Sequence, residues 1–315
     1  MLTIITITPI HWVAFILVII FFLALDLGVF HRHAHVVKFK EALGWTALWF
    51  SLAMGFAAAL VPLRGKVAAT EFITGYLIEL SLSMDNVFVI AVIFSYFRVP
   101  SEQQHRVLFW GILGALVMRG VLIGIGAALI SAFHWILYAL GAFLVYSGIK
   151  MVFADDDAPD PDKNPFIRLA RKLYPVSSEF EGQKFTTRLN GKIALTPLAI
   201  VLLMVETTDL VFALDSIPAI FGITSDPFIV FTSNVFAILG LRSLYFVLAG
   251  AIQYFKYLKI GLSVVLVFIG VKMLIEFWEW EISTPLSLAI VVGILAVSVV
   301  ASVIAARHEA RRATK

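Results

Sequence analysis

The chain contains no cysteine, and that single absence removes disulfides, thiolate metal sites and cysteine nucleophiles together. Charge is also scarce. Only 14% of the 315 residues are Asp, Glu, Lys or Arg, against 61% that are hydrophobic, a balance that soluble globular domains do not reach. Lipid must be the main solvent. A net charge of +3 is too small to indicate a nucleic-acid partner. No G-x-x-x-x-G-K-[ST] loop is present, so direct ATP coupling is unsupported. The first apolar stretch lacks a basic n-region and a small-residue cleavage pattern, and reads as a retained span, not a signal peptide.

What the chain has in abundance is apolar runs of about 20 residues, enough to cross roughly 30 Å of hydrocarbon. They lie near 11–30, 43–62, 71–97, 107–130, 134–153, 196–222, 228–251, 258–278 and 284–306. The expectation is an all-α integral membrane fold with nine transmembrane helices. With the N-terminus outside, the inner loops hold Arg32, Lys38, Lys40, Arg98, Arg106, seven basic residues between 154 and 195, Lys256, Lys259, and the tail residues Arg307, Arg311, Arg312 and Lys315. The outer loops hold only Arg64 and Lys66. Retention of Lys and Arg on the cytoplasmic side therefore sets the N-terminus out and the C-terminus in.

The division that follows is two N-terminal helices in 1–70, a three-helix unit in 71–153, a cytoplasmic linker in 154–195, a second three-helix unit in 196–278, and a last helix with a basic tail in 279–315. The linker opens with Asp155, Asp156 and Asp157 and the prolines Pro159, Pro161 and Pro165. Within it Phe166, Leu169, Ala170 and Leu173 recur at helical spacing beside Arg168, Arg171 and Lys172. That pattern suits a short helix lying on an anionic leaflet, or equally a solvated charged helix. Asn190-Gly191 between short mixed runs predicts a tight hairpin.

The two three-helix units resemble each other. Asp85-Asn86-Val87-Phe88-Val89-Ile90 aligns with Asp209-Leu210-Val211-Phe212-Ala213-Leu214, and Phe97 to Ser101 with Phe221 to Ser225. With small drifts, Arg119 falls opposite Arg242, and Gly148-Ile149-Lys150-Met151 opposite Gly270-Val271-Lys272-Met273. Chance likeness between apolar helices explains these matches less well than a repeat does. Three spans per unit make the second unit enter the membrane from the opposite side, so the repeat is inverted. Transporters built this way place their substrate near the midplane where the repeats meet.

The third span carries Glu79 and Asp85, and the sixth carries Glu206, Asp209 and Asp215. Each ionised carboxylate facing lipid at mid-helix costs about 2.5 to 3.5 kcal/mol on insertion scales, so five would cost on the order of 12 to 18 kcal/mol. Pairing, protonation or cation coordination must offset that. Arg119 and Arg242 read as structural counter-ions before gating residues, and two arginines cannot match five acids. On a straight helix Glu79, Ser83 and Asn86 share a face with Asp85 about 120° away, and Glu206 and Asp215 point in opposite directions. Unwinding at Pro218, which lacks an N–H, would free the Leu214 carbonyl beside Asp215. The candidate metal ligands are therefore Glu79, Asp85, Asn86, Glu206, Asp209 and Asp215, with Thr207, Thr208, Ser216 and Asn234 as auxiliaries. This all-oxygen set favours Mg, Ca or Mn over Zn or Cu.

Other polar residues have plainer readings. Asn234 suits an interhelical hydrogen bond, Met84 suits packing rather than a soft ligand, and Lys150 and Lys272 suit snorkelling to the interface. Asp26 reads as interfacial. His31, His33 and His35 form a solvated loop before they form a metal- or pH-sensing one.

Glu79-Leu80-Ser81-Leu82-Ser83-Met84-Asp85-Asn86-Val87-Phe88-Val89 and the run from Glu206 to Phe221 closely resemble the two signatures of the TerC family, especially its Alx-type members, and Ser233 to Arg242 extends the likeness. The resemblance implies a bacterial inner-membrane protein that exports Mn2+, the five acids matching the family's proposed metal positions. The expectation is no enzyme and no resident cofactor, with Mn2+ as transported substrate and protons and the lipid bilayer as partners. Moving a divalent cation outward against about 100 mV costs roughly 4.6 kcal/mol, which proton antiport would supply. The competing expectation is a membrane assembly or interaction factor in metal loading or protein insertion, the acids serving only packing. A membrane hydrolase fits worst, because two-metal chemistry usually recruits histidines that these spans lack.

Overall fold

The computed structural model describes residues 7–25, 39–153, 161–189, 191–248, 257–278 and 280–313. Asp26, His31, His33, His35, Asp155 to Asp157 and Asn190 lie outside these segments. The order is α1 (Pro9–Leu25), α2 (Phe39–Tyr96), α3 (Ser101–Ala132), α4 (Ile136–Phe153), α5 (Pro165–Leu173), β1 (Thr186–Leu189), β2 (Lys192–Leu195), α6 (Pro197–Phe221), α7 (Pro227–Leu248), α8 (Leu258–Ile275) with a 3-10 turn at Glu276–Trp278, and α9 (Thr284–Ala313). Among the described residues seven helices, α2, α3, α4, α6, α7, α8 and α9, are long and apolar enough to cross a membrane, and α1 is a shorter apolar helix. The protein is a nearly all-helical, multi-pass integral membrane protein.

A straight 58-residue α2 would be about 87 Å long, almost three bilayer cores. It is not straight. Gly65 takes φ 91 and ψ 171, a conformation open to glycine and strained for residues with a Cβ, and the helix breaks there. Phe56 meets Phe72 with ring centroids 5.0 Å apart, and Phe50 meets Tyr76 at 6.1 Å, so the two halves fold back against each other. The expected spans at 43–62 and 71–97 are these halves, with the turn made by one residue.

The packing differs from that of a soluble protein in having apolar side chains on the outside as well as in the core. α7 is buried along nearly its whole length and carries Thr232, Ser233, Asn234, Arg242 and Ser243 into the interior. α9 and the outer faces of α3 and α4 instead expose Val297, Val300, Val117, Val121 and Tyr146. Those apolar stripes need lipid as solvent. Small residues let the helices approach: a Cβ added at Gly270 would lie 2.6 Å from the carbonyl oxygen of Gly141, and one at Gly148 would lie 2.8 Å from that of Ser263. α6 runs through Pro218 without a break, and the Gly222 N–H donates to the Pro218 carbonyl at 3.0 Å. The unwinding expected at Pro218 is absent, the chain staying helical from Leu214 through Pro218 to Phe221.

In the linker, β1 and β2 pair antiparallel with Leu189 opposite Lys192, and Gly191 has φ 78, the hairpin expected of Asn-Gly. Asn164 caps α5, its Oδ1 accepting from the N–H of Phe166 at 2.9 Å and of Ile167 at 3.3 Å. Ile167 is buried against Leu198, Val201 and Met204 of α6.

Candidate functional site: a buried arginine between two acids

Four helices bring one polar cluster into the apolar interior. Glu79, Ser83 and Asn86 stand on one face of the second half of α2, as their spacing requires, and all are buried. Arg119 comes from α3, Asp209 and Ser216 from α6, and Asn234 from α7. The Arg119 guanidinium, 2% exposed, grips Asp209 with two parallel bonds, Nε to Oδ2 at 3.1 Å and Nη2 to Oδ1 at 2.9 Å. Its Nη1 donates to Glu79 Oε1, to Ser216 Oγ at 3.2 Å and to Asn234 Oδ1 at 3.3 Å. Glu79 also accepts from Ser83 Oγ at 3.2 Å and from Asn234 Nδ2 at 2.9 Å. Asn86 Nδ2 donates to Asp209 Oδ1 at 2.8 Å.

One cation against two carboxylates leaves this cluster one negative charge in excess when both acids are ionised. The fork geometry of Arg119 neutralises the pair as far as a single guanidinium can. Asn86 Oδ1 is buried with no hydrogen-bond donor. It borders a cavity of about 20 Å³, room for about one water, lined by Asn86, Asp209, Arg242, Gly111, Ala115 and Val205 among others. An unfilled acceptor and a carboxylate therefore face the same small void.

Residues 64–310 match the integral membrane protein TerC family. The chain belongs to the TerC family. It is 54% identical over 302 residues to an uncharacterized membrane protein of Myxococcus xanthus, covering 96% of this chain and 94% of that one. It is 46% identical over 302 residues to a Salmonella typhi protein named as a membrane-bound redox modulator, Alx, covering 93% and 94%. A protein of the same name in Escherichia coli K12 is 45% identical over 315 residues, covering 97% and 98%. No solved structure matches the chain.

The five acids of this TerC protein are not gathered into one shell. Glu79 and Asp209 meet through Arg119. Asp215 accepts instead from Ser147 Oγ of α4 at 2.6 Å. Glu206 lies against Gly114 of α3, where any Cβ would collide with its carboxylate. Asp85 is half-buried on the neighbouring face of α2. Among the described residues, no three His, Asp or Glu side chains are grouped so as to hold a metal ion. Of the auxiliaries, Ser216 and Asn234 join the cluster. Thr207 and Thr208 donate back to the carbonyls of Leu203 at 2.6 Å and Met204 at 3.0 Å, within their own helix. Arg242 lies apart from Arg119, its Nη1 3.4 Å from His105 Nε2, and lines the cavity.

Sequence reasoning missed Ser147 and Gly114. A serine and a glycine in apolar helices are common, and only the fold shows which carboxylate each receives. It also misplaced Lys272, which does not snorkel: it is 4% exposed and donates from Nζ to the Gly222 carbonyl at 3.0 Å. Lys150, its counterpart, is exposed with its ammonium 5.9 Å from the Tyr146 ring centroid, as an interfacial lysine should be.

Proposed function

We propose that this TerC protein is a secondary transporter that exports Mn2+ from the bacterial cytoplasm across the inner membrane by proton antiport. The observation that carries this reading is Arg119 held between Glu79 and Asp209, which come from the two units of the repeat. A guanidinium there stands where a transported cation would be bound. Asn86 Oδ1, Asn234 Oδ1 and Ser216 Oγ add neutral oxygens beside the two carboxylates, a hard donor set that suits Mn2+, Mg2+ or Ca2+. Mn2+ is bound as substrate once Arg119 withdraws. With Arg119 in place and one acid protonated, the cluster is neutral, and a neutral site returns through low dielectric at least cost.

The architecture supports the same reading. Counting the halves of α2 separately and adding α1 gives nine crossings. The repeat partners pack antiparallel in each pair: Asn86 meets Asp209 between α2 and α6 while Glu71 meets Thr224 just past the end of α6, Arg119 meets Asn234 and His105 meets Arg242 between α3 and α7, and Gly141 meets Gly270 and Gly148 meets Ser263 between α4 and α8. An inverted repeat predicts that arrangement, and the distribution of Lys and Arg orients it with the N-terminus out. No enzymatic step is proposed. The redox effect in the relatives' name cannot come from thiol chemistry in this chain, which has no cysteine, so we read it as indirect, through the metal the cell retains.

The test is Mn2+ flux in proteoliposomes under an imposed pH gradient. The expected result is gradient-dependent flux that is lost in Asp209→Asn while the variant still folds. Flux indifferent to the gradient removes the antiport. Full activity in Asp209→Asn removes the site, and retained efflux together with lost partner binding in that variant favours the assembly-factor reading.

A further inference from the structure

α5 sorts its side chains into three directions. At 100° per residue, Phe166, Leu169, Ala170 and Leu173 occupy one arc, Arg168, Arg171 and Lys172 the opposite one, and Ile167 points between them. Ile167 is 0% exposed and packs on α6, whereas Phe166, Leu169 and Leu173 are 51%, 54% and 64% exposed. The bundle therefore lies to one side of this helix, and among the described residues about half or more of the Phe166, Leu169 and Leu173 edge is left uncovered.

The depth of α5 identifies what covers that edge. Asn164 Nδ2 donates to Met204 Sδ at 3.5 Å, which fixes the start of α5 at the level of Met204, seven residues or about 10 Å into α6. The 25 residues of α6 extend about 37 Å, some 4 Å beyond each side of a 30 Å core. An α6 centred on the bilayer and running along its normal places the N-terminus of α5 about 6 Å inside the hydrocarbon edge, within the range at which in-plane helices sit. Arg171 is engaged by Asp162 at 2.6 Å, while Arg168 and Lys172 are exposed on the arc away from the apolar edge, Lys172 nearer to it, and long stems there reach back to headgroups.

We propose that α5 is an interfacial helix that seats its Phe166, Leu169 and Leu173 edge in the leaflet and holds anionic phospholipid headgroups with Arg168 and Lys172. This goes beyond the transport reading and does not depend on it. Because Asn164 grips α6 at Met204, five residues or fewer from Thr208 and Asp209, and Ile167 packs on the same helix, the lipid surface is mechanically joined to the helix that carries the cluster.

The native absence of cysteine makes the test direct. Single nitroxide labels at Leu169→Cys, Phe166→Cys and Arg171→Cys are read in the full chain, in phosphatidylcholine vesicles with and without phosphatidylglycerol. Labels at 169 and 166 should collide with oxygen several-fold more than with a water-soluble nickel complex, and the label at 171 should show the reverse. Adding phosphatidylglycerol should deepen 169, and Arg168→Gln with Lys172→Gln should cancel that deepening. Equal nickel access at 169 and 171, or shielding of 169 from both reagents as in a protein contact, overturns the interfacial placement. Depth indifferent to phosphatidylglycerol overturns the anionic-lipid contact.

Discussion

Arg119 answers to two carboxylates at once, so removing it should do more harm than removing either acid. In Arg119→Met, Glu79 and Asp209 are left buried without their shared cation, a change of about 3–5 kcal/mol. Denaturation in detergent should register that loss. Because the vacated space is then open to a cation, Mn2+ at about 100 times its Kd should return about 2.7 kcal/mol in the variant, and an absence of Mn2+ stabilisation would argue against an ion-binding cluster. The acids should also separate in their effects on flux. Asp209→Asn should abolish it, whereas Asp215→Asn, whose carboxylate is held by Ser147 away from Arg119, should lower it by less than about tenfold, or about 1.4 kcal/mol. The shared face of Glu79, Ser83 and Asn86 was legible from helical spacing alone, as was the need of the acids for an arginine. Which acids Arg119 would take was not, because that choice depends on how α3 is rotated against α2 and α6, and apolar helices give little periodic signal to fix a rotation.

At the scale of elements, glycine decides where helices turn and how closely they pass. Gly65 holds φ 91 with nothing within 4 Å of a would-be Cβ, so Gly65→Ala meets no neighbour and tests backbone strain alone. A cost of roughly 1 to 2 kcal/mol is expected. Gly270→Val tests the opposite case, since its first added carbon falls 2.6 Å from the Gly141 carbonyl and 2.9 Å from Val145 Cγ2. Prising α4 from α8 should cost about 1–3 kcal/mol. Thermal unfolding of both variants in one detergent compares them; a Gly270→Val protein as stable as wild type would mean that the two helices do not rely on this contact. The spans on either side of Gly65 were legible from hydropathy, but the single-residue turn was not. Pro62, Arg64 and Lys66 read as a loop, whereas the backbone stays helical past the apolar boundary up to the break itself. The hairpin at 186–195 was legible because Asn-Gly is a chemical requirement of its turn, not a matter of tertiary packing.

For the molecule as a whole, the end of the bundle where α6 passes to α7 is tied from three sides. Lys272 of α8 holds the Gly222 carbonyl at 3.0 Å, Thr224 donates to Glu71 of α2 at 2.9 Å, and Arg64 beside the Gly65 turn pairs with Asp226 at 2.5 Å. The last of these is partly exposed, at 18% and 25%, and so contributes little to stability by itself. Its interest is positional, since it joins the α2 turn, just before the first three-helix unit, to the start of α7 in the second, and a rocking of the units that carries the turn with the first changes the distance between those points. Fixing that distance should therefore stop transport without disturbing the cluster. In Arg64→Cys with Asp226→Cys, a short, reducible bifunctional thiol reagent should abolish Mn2+ flux, and reductant should restore it, while Mn2+ binding to the cross-linked protein persists. The same reagent on either single variant should do nothing, since the chain offers no other thiol. Undiminished flux through the cross-linked protein would mean that this end stays closed throughout the cycle, and that the substrate leaves by a route not gated by the α6 to α7 corner.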